Sequence, residues 1–370
     1  MKESDNIVEE DLQYICNGLK KELVRLSGKN LLITGGAGFL GYYLIQSVLY
    51  WNKTTDESKG VHLTILDNFV RGIPKWMSEF EKNSNLRFIR CDITDPLPED
   101  LGEFQYIIHA ASIASPTYYR KYPIETMDAN VNGLRSLLEY CRKQKEKKLP
   151  IEGFLFYSSS EIYGDPTPEN IPTPESYNGN VSCTGPRACY DESKRYGETL
   201  CVNFVQQYDL PIKIVRPFNN YGPGLKITDR RVIADLFRDV LKGRDITLFS
   251  DGSPTRTFCY VADAIIGYYK ILIGGRRGEA YNIGVEEPEI SVRELSERIV
   301  SLARRQLVYS GKVEYKVSID KDYLVNNPNR RCPVITKARS ELGYHPGVPL
   351  DKGLKRSLIW YTDHWDAEEA

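Results

Sequence analysis

Thr34-Gly-Gly-Ala-Gly-Phe-Leu-Gly41 follows the apolar run Asn30-Leu-Leu-Ile33 and leads into a helical pattern through Tyr43, Leu44 and Val48. The order is strand, glycine turn, helix. In a dinucleotide-binding unit built this way, Gly35 makes the tight turn, Gly38 lets the backbone approach a pyrophosphate at the helix N-terminus, and Gly41 lets the helix pack close to the sheet. A second strand, His62-Leu-Thr-Ile-Leu-Asp67, ends in a carboxylate about 26 residues beyond Gly41, near the offset of roughly 20 expected for the acid that binds the adenine ribose. Asp67 in that place repels a 2′-phosphate and favours NAD over NADP, although Arg71 nearby could soften the preference. No Lys-Ser or Lys-Thr follows Gly41, so the run does not read as the phosphate loop of an NTPase.

From Lys29 the chain alternates strand and helix patterns. Strands are expected near 30–34, 61–66, 86–90, 105–109, 152–158 and 211–215, and helices near 38–51, 128–147 and 189–208. Such alternation predicts an α/β protein with a Rossmann-type doubly wound parallel sheet. Beyond Arg216 come a loop from Pro217 to Gly224, a helix near 230–242, a short strand near 246–249, and helices near 261–273 and 291–305. A smaller, interleaved C-terminal substrate domain is expected there. The expected division is a helical extension over 1–28, an NAD-binding domain over 29–216 plus about 259–285, and a nucleotide-sugar-binding domain over 217–258 and 286–365. The extension reads as a charged amphipathic helix with Ile7, Leu12, Ile15, Leu19, Leu23 and Leu26 at three-to-four spacing. Because it precedes the first nucleotide-binding strand, it reads as an appendage packed against the domain or a partner subunit.

Two further stretches carry chemistry. In Cys189-Tyr-Asp-Glu-Ser-Lys194 the YxxxK spacing places a phenol and an ammonium on one helix face. Tyrosine titrates near ~10, too high for a base at neutral pH, but a lysine one turn away favours the phenolate, as does the positive ring of an oxidised nicotinamide. Tyr190 can then take a hydroxyl proton while hydride leaves the same carbon. At the end of the fifth strand comes Phe156-Tyr-Ser-Ser-Ser-Glu-Ile-Tyr-Gly-Asp-Pro166, and ligands of parallel sheets gather beyond the carboxyl ends of the strands. Ser159, Ser160 and Glu161 are therefore expected to face the cleft. A hydroxyl there can share the substrate's hydroxyl proton, and Glu161 can act on a neighbouring carbon or carboxylate.

Composition narrows the partners. The 370 residues are 41% hydrophobic and 27% charged with a net charge of −1, and no basic stripe suggests nucleic acid or a membrane surface. No apolar run approaches the ~18 residues of a membrane span, and Met1-Lys-Glu-Ser-Asp-Asn lacks a signal-peptide core, so a cytoplasmic protein is expected. Eight cysteines are scattered without CxxC or paired histidine spacing, which predicts reduced thiols and no metal.

Gly35-Gly-Ala-Gly38, Ser160-Glu-Ile-Tyr-Gly164, Tyr190-x-x-x-Lys194, Arg216-Pro-Phe-Asn-Asn-Tyr-Gly-Pro223 and Thr255-Arg-Thr-Phe-Cys-Tyr-Val-Ala-Asp263 together resemble the extended short-chain dehydrogenase/reductase family acting on nucleotide sugars, over about residues 29 to 350. Within it, Ala111-Ser-Ile-Ala-Ser-Pro116, Pro174-Glu-Ser-Tyr-Asn-Gly-Asn180 and Gly185-Pro-Arg-Ala-Cys-Tyr-Asp-Glu192 are most similar to the branch that decarboxylates UDP-glucuronate to UDP-xylose. The resemblance implies NAD as cofactor, a nucleotide-sugar substrate, and a homodimer formed through the helices near 128–147 and 189–208, whose apolar faces serve equally as core. It implies that Phe39 and Leu40, Asn68, Asp92 and Ile93, Ala110, Ala111 and Ser112, and Pro217 and Asn219 line the cofactor. Ser115, Pro116, Asn219, Arg231, Tyr260 and Arg331 are implied nucleotide-sugar contacts, with Arg331 on the diphosphate. Arg256 is implied to hold the sugar carboxylate bidentately, or alternatively the diphosphate alone.

The family's 4,6-dehydratases carry Asp-Glu where this chain has Ser160-Glu161, and its epimerases generally lack the glutamate, so the pair favours decarboxylation. The implied mechanism has Tyr190, helped by Lys194 and Ser159 or Ser160, deprotonate the C4 hydroxyl as hydride passes to NAD. The resulting ketone makes the C5 carboxylate labile while Glu161 and Arg256 orient it. Asn326-Asn-Pro328 in place of Asp-Asp-Pro, and Thr228-Asp-Arg-Arg231 in place of an Asp-Gly-Arg run, depart from the branch and put the substrate's identity in question. A 4,6-dehydratase, a 4-epimerase, or a non-catalytic nucleotide sensor are the alternatives, the last having no need of an intact Tyr190, Lys194 and Ser159 set.

Overall fold

The computed structural model of the chain describes residues 2–369 except 57–58, 81, 150, 319 and 321–324. Seven strands form one parallel sheet: β1 (Asn30–Thr34), β2 (His62–Asp67), β3 (Leu86–Arg90), β4 (Tyr106–His109), β5 (Gly153–Tyr157), β6 (Ile212–Pro217) and β7 (Ala280–Ile283). Their order is β7-β6-β5-β4-β1-β2-β3, so the chain reverses its direction of winding between β1 and β4. That switch point opens a groove at the carboxyl ends of the strands. The central strands read as continuous apolar runs because helices cover both faces of the sheet; Leu31, Leu32, Ile33, Phe154, Leu155 and Phe156 are all fully buried.

The six expected strands form within two residues of their expected limits. β7 was not foreseen, because Ala280-Tyr-Asn-Ile283 is four residues without alternation. It is created by the crossover helix Val261–Gly274, which returns the chain beside β6. The helix expected from residue 128 begins earlier, at Pro123, whose fixed φ suits a first helical turn. It passes through a wider turn at Ala129–Gly133 before continuing as Leu134–Glu146.

The N-terminal segment forms two helices, α1 (Glu3–Gly18) and α2 (Lys20–Leu26). The anticipated stripe is buried: Ile15, Leu19, Leu23 and Leu26 are inaccessible, and Ile7 and Leu12 nearly so. It packs against α3 (Phe39–Thr54), the crossover helix Val261–Gly274 and the last helix Leu350–Glu369 of the same chain. Asp11, in the middle of α1, is inaccessible and accepts from the phenols of Tyr43 and Tyr260 and from Arg356.

Three C-terminal segments come together in a small sheet. Thr255–Arg256 lies between Ile290–Ser291 and Arg330–Arg331, with Arg331 registered opposite Arg256. Among the described residues no helix is long and apolar enough to cross a membrane, and no group of three or more His, Cys, Asp or Glu side chains is placed to hold a metal ion.

Candidate active site

The glycine turn sits at the switch point. Gly35 has φ +73°, which favours glycine, and a Cβ there would come 2.6 Å from Ala111 Cα. At Gly41 a Cβ would meet the carbonyl oxygen of Gly36 at 2.0 Å, so only glycine lets α3 begin so close to the turn. Helix α3 starts at Phe39 with Gly38 as its cap and no side-chain bond to its first turn, the kind of helix N-terminus that accepts an anion. Asp67 accepts from Ala37 N at 3.0 Å and Phe69 N at 2.8 Å, and burial raises its pKa above the usual carboxylate range. Asn68 donates to Asp92 at 2.8 Å, which ties the ends of β2 and β3 together. Ile93 is buried and lies against Gly133. Leu40 is partly buried against the core. On the far side, Ser112 Oγ is buried with no hydrogen-bond partner. A cradle that excludes Cβ atoms and leaves a hydroxyl unsatisfied fits a dinucleotide.

Helix Ala188–Tyr208 carries Tyr190 and Lys194, both buried. Lys194 Nζ donates to Tyr157 O at 2.8 Å and lies 5.6 Å from the centre of the Tyr190 ring. Burial pulls the Lys194 ammonium down to about 7. Burial also pushes the Tyr190 phenol up to about 12, against a hydrogen bond with Ser159 that lowers it. Thus Lys194 alone does not make Tyr190 a base at neutral pH; a further positive charge, such as that of an oxidised nicotinamide, is required. Ser159 also accepts from Glu161 N at 3.2 Å and caps the short turn Ser160–Tyr163. Ser160 is buried in that turn.

Around Glu161 lies a cluster that sequence reasoning only partly anticipated. Its carboxylate pairs with Arg187 and, at 2.5 Å, with Arg331. Burial opposes ionisation, yet Arg187 and Arg331 hold Glu161 down at about 2. Arg187 stands at the start of the Tyr190 helix and also reaches toward Asp191, 3.7 Å from its Nε. Burial and the nearby Glu161 push Asp191 up to about 8. Tyr119 stacks on Tyr190 with centroids 4.9 Å apart and 12° between planes. Arg187 was visible in the run before Tyr190, three residues ahead on the same helix start, but no local pattern says where its guanidinium goes. Tyr119 and Asp191 carried no sequence signal of their own.

Several expected contacts fall elsewhere. Arg256 donates to the main-chain oxygens of Thr255, Pro328 and Asn329 at 2.6 to 3.1 Å, so its terminal amino groups are not free for a bidentate grip on a carboxylate. Tyr260 is inaccessible and its hydroxyl is held by Asp11, which removes it from contact with any sugar. Arg71 reaches away from Asp67 to Asp229 at 2.8 Å, so it does not serve a 2′-phosphate in this structure. Arg331 meets Glu161, and Arg231 lies 5.8 Å over the Phe39 ring while pairing with Asp229. Ser115 donates to the Asp229 carbonyl, and Pro116 opens the short helix that presents Tyr119. Pro217 ends β6, and Asn219, at φ +41°, donates to Thr257 O.

A parallel sheet with its glycine turn at the switch point and a Ser-Tyr-Lys set beyond β5 defines a dinucleotide-dependent enzyme of the short-chain dehydrogenase/reductase class. The chain belongs to the NAD dependent epimerase/dehydratase family, which matches residues 31–284. It is 34% identical over 328 residues to UDP-glucuronic acid decarboxylase 5 of Arabidopsis thaliana, covering 89% of this chain and 88% of that protein. To UDP-glucuronic acid decarboxylase 1 of Xenopus tropicalis it is 33% identical over 335 residues, 90% and 72% of the two chains. Among solved structures, an epimerase from Methanothermobacter thermautotrophicus superposes with a TM-score of 0.79 at 27% identity, covering 96% of this chain and 98% of that one. A dTDP-glucose 4,6-dehydratase from Streptomyces venezuelae, solved with NAD bound, gives 0.78 at 25% identity over 92% and 99%.

Proposed function

We propose that this chain decarboxylates UDP-glucuronate to UDP-xylose through a 4-keto sugar. The observation that carries the reading is Glu161, held ionised between Arg187 and Arg331 in the short turn capped by Ser159, whose hydroxyl works against the upward shift of the Tyr190 phenol. The curated relatives described above share the proposed activity by name. NAD, held at the glycine turn of Gly35 and Gly38 and beside Asp67 and Ser112, would supply the acceptor and donor of the C4 hydride.

Tyr190, relayed by Ser159, takes the C4 hydroxyl proton, and Lys194 supports the phenolate. With Asp191 protonated, three guanidiniums (Arg187, Arg256 and Arg331) face one ionised carboxylate, and the excess positive charge suits a uronate and a diphosphate. Loss of CO₂ sends the C5–carboxyl electron pair toward the C4 carbonyl, where Tyr190 and Ser159 donate hydrogen bonds to the developing oxyanion. Dehydration would require a base for the C5 hydrogen; Glu161 at about 2 is a feeble one. Decarboxylation requires no such base; the enolate it leaves takes a proton at C5 from solvent water, which restores the C4 ketone before that carbon is reduced again.

The proposal extends to a homodimer in a reducing cytoplasm. Ile124, Met127 and Tyr196 are exposed at 64, 43 and 51% on the helices suggested for the interface, and all eight cysteines are free thiols. The deciding experiment incubates the purified chain with UDP-glucuronate labelled at the carboxyl carbon. NMR should show the label leaving as CO₂ with UDP-xylose as product; retention of the label with inverted C4 would replace the reading with 4-epimerisation.

A further inference from the structure

Residues 225–231 are tied to three sides of the switch-point groove. The Asp229 carboxylate, nearly inaccessible, pairs with Arg71 at 2.8 Å and Arg231 at 3.1 Å. Arg71 stands four residues beyond Asp67, past the end of β2. Lys226 Nζ donates to the Arg71 carbonyl at 2.8 Å, and the Arg71 guanidinium lies 5.2 Å over the Tyr118 ring. From the loop after β4, Ser115 Oγ donates to the Asp229 carbonyl at 2.6 Å. Arg231 covers Phe39, the first residue of α3, at 5.8 Å. The segment therefore touches the chain beyond β1, β2 and β4, the strand ends that bound the place of a dinucleotide. Between the two ion-pairing residues, Arg230 has φ +70°, a left-handed conformation unfavourable for a non-glycine residue. Surrounding contacts hold such a turn in place.

We propose that residues 225–231 form a strap over the bound dinucleotide, fastened by the Arg71–Asp229 ion pair, which keeps the cofactor from leaving between turnovers. This rests on the NAD-dependent reading given above. A cofactor that is oxidised and reduced within one catalytic cycle need never exchange, so a fastened strap does not slow turnover. Unfastening it shortens the residence of the dinucleotide without touching the reacting groups.

The test compares the purified full-length chain with Arg71→Ala and Arg71→Lys, each loaded with radiolabelled NAD and chased with an excess of unlabelled NAD. Arg71→Ala should release label about 5-fold faster or more, the effect of removing an ion pair with one nearly inaccessible partner. Arg71→Lys, keeping the charge but not the planar stack on Tyr118, should fall between. Release from the unmodified chain should accelerate with NaCl, and release from Arg71→Ala should not. Since the Arg71 side chain is 43% exposed, circular dichroism and melting of the NAD-saturated variant should match the unmodified chain. Equal release rates with equal salt dependence would overturn the strap while leaving the cofactor reading intact. An unmodified chain that neither carries nor binds NAD would overturn both.

Discussion

Glu161 and Arg331 lie 170 positions apart in the chain and meet in a 2.5 Å ion pair. The pair joins the loop after β5 to the small C-terminal sheet, so the site is complete only when both parts of the fold are in place. Removing Arg331 leaves Glu161 with its ion pair to Arg187 and the more distant charge of Arg256. For Arg331→Ala we expect kcat/KM to fall by roughly 10²- to 10³-fold, the scale of breaking a buried charge pair. The Glu161 pKa should also climb from about 2. A carboxylate held below its ordinary range contributes stability and activity that are present above that range and vanish as pH falls through the folded value. The variant should therefore lose activity at a higher pH than the unmodified chain. An unchanged acid limb in the kcat/KM profile would contradict the assignment.

Arg256 should behave differently from Arg331. Its amino groups bond the main-chain oxygens of Thr255, Pro328 and Asn329, so Arg256→Ala strands buried acceptors at a cost of about 1–3 kcal/mol. The expected result is a lowered urea midpoint, with any change in KM following from displacement of the 327–331 segment. A large rise in KM for UDP-glucuronate at unaltered stability would instead restore Arg256 as the carboxylate's direct partner.

Tyr190→Phe removes the proton acceptor but keeps the ring stacked on Tyr119. Turnover should drop by about 10²- to 10⁴-fold, the range for general base catalysis, while bound NAD is retained. Stopped-flow absorbance at 340 nm should lose the transient that marks hydride transfer. Turnover at the rate of the unmodified chain would remove Tyr190 from the chemistry.

The parallel sheet and the Gly35, Asp67, Tyr190 and Lys194 positions were legible because each is written in local spacing: a period, a turn residue, one helical turn. β7 was not, since its four residues take strand form only when Val261–Gly274 delivers them to β6. The arginines show the same limit more sharply. Arg187, Arg256 and Arg331 are each evident as charges near motifs, but that Arg331 joins Arg187 on Glu161 while Arg256 does not depends on the registry of Arg331 opposite Arg256, a pairing of strands 75 positions apart. Tyr260 misled for the same reason: its motif position is right, and its hydroxyl is claimed by Asp11 from 249 positions away.

Asp191 holds a proton up to about 8 because it is buried and because Glu161 beside it is already ionised. Above that pH its ionisation lowers the net positive charge of the cluster, and an anionic substrate binds less well. In the unmodified chain KM should rise between pH 7 and 9, and Asp191→Asn, neutral throughout, should flatten that rise. The linked stability has the opposite sign to that of Glu161. The folded chain keeps a proton that the unfolded chain releases, so stability relative to the asparagine variant should decline as pH rises from the ordinary carboxylate range to about 8. Parallel KM profiles for the two proteins would show that Asp191 does not titrate in this interval.

The N-terminal helices make the last prediction, because an appendage and a core element respond differently to the same substitution. Asp11 has no contact with solvent, receives the hydroxyls of Tyr43 and Tyr260 at 2.7 and 2.6 Å, and pairs with Arg356. Burial raises its pKa, with Arg356 acting in the opposite direction. Asp11→Ala would leave the Arg356 guanidinium, only 11% exposed, with the more exposed Glu10 as its ion-pair partner and two phenols without that acceptor, at a cost of about 3 kcal/mol. Chemical denaturation of the full chain should register that loss in one cooperative transition, since α1 packs on the helices that flank the sheet. Combining Asp11→Asn with Arg356→Met should cost less than the sum of the two single changes, by about 1 kcal/mol, because the second removes a charge that the first leaves paired with Glu10 only. If α1 were only an appendage, Asp11→Ala would instead leave the main transition unmoved and produce, at most, a separate early one.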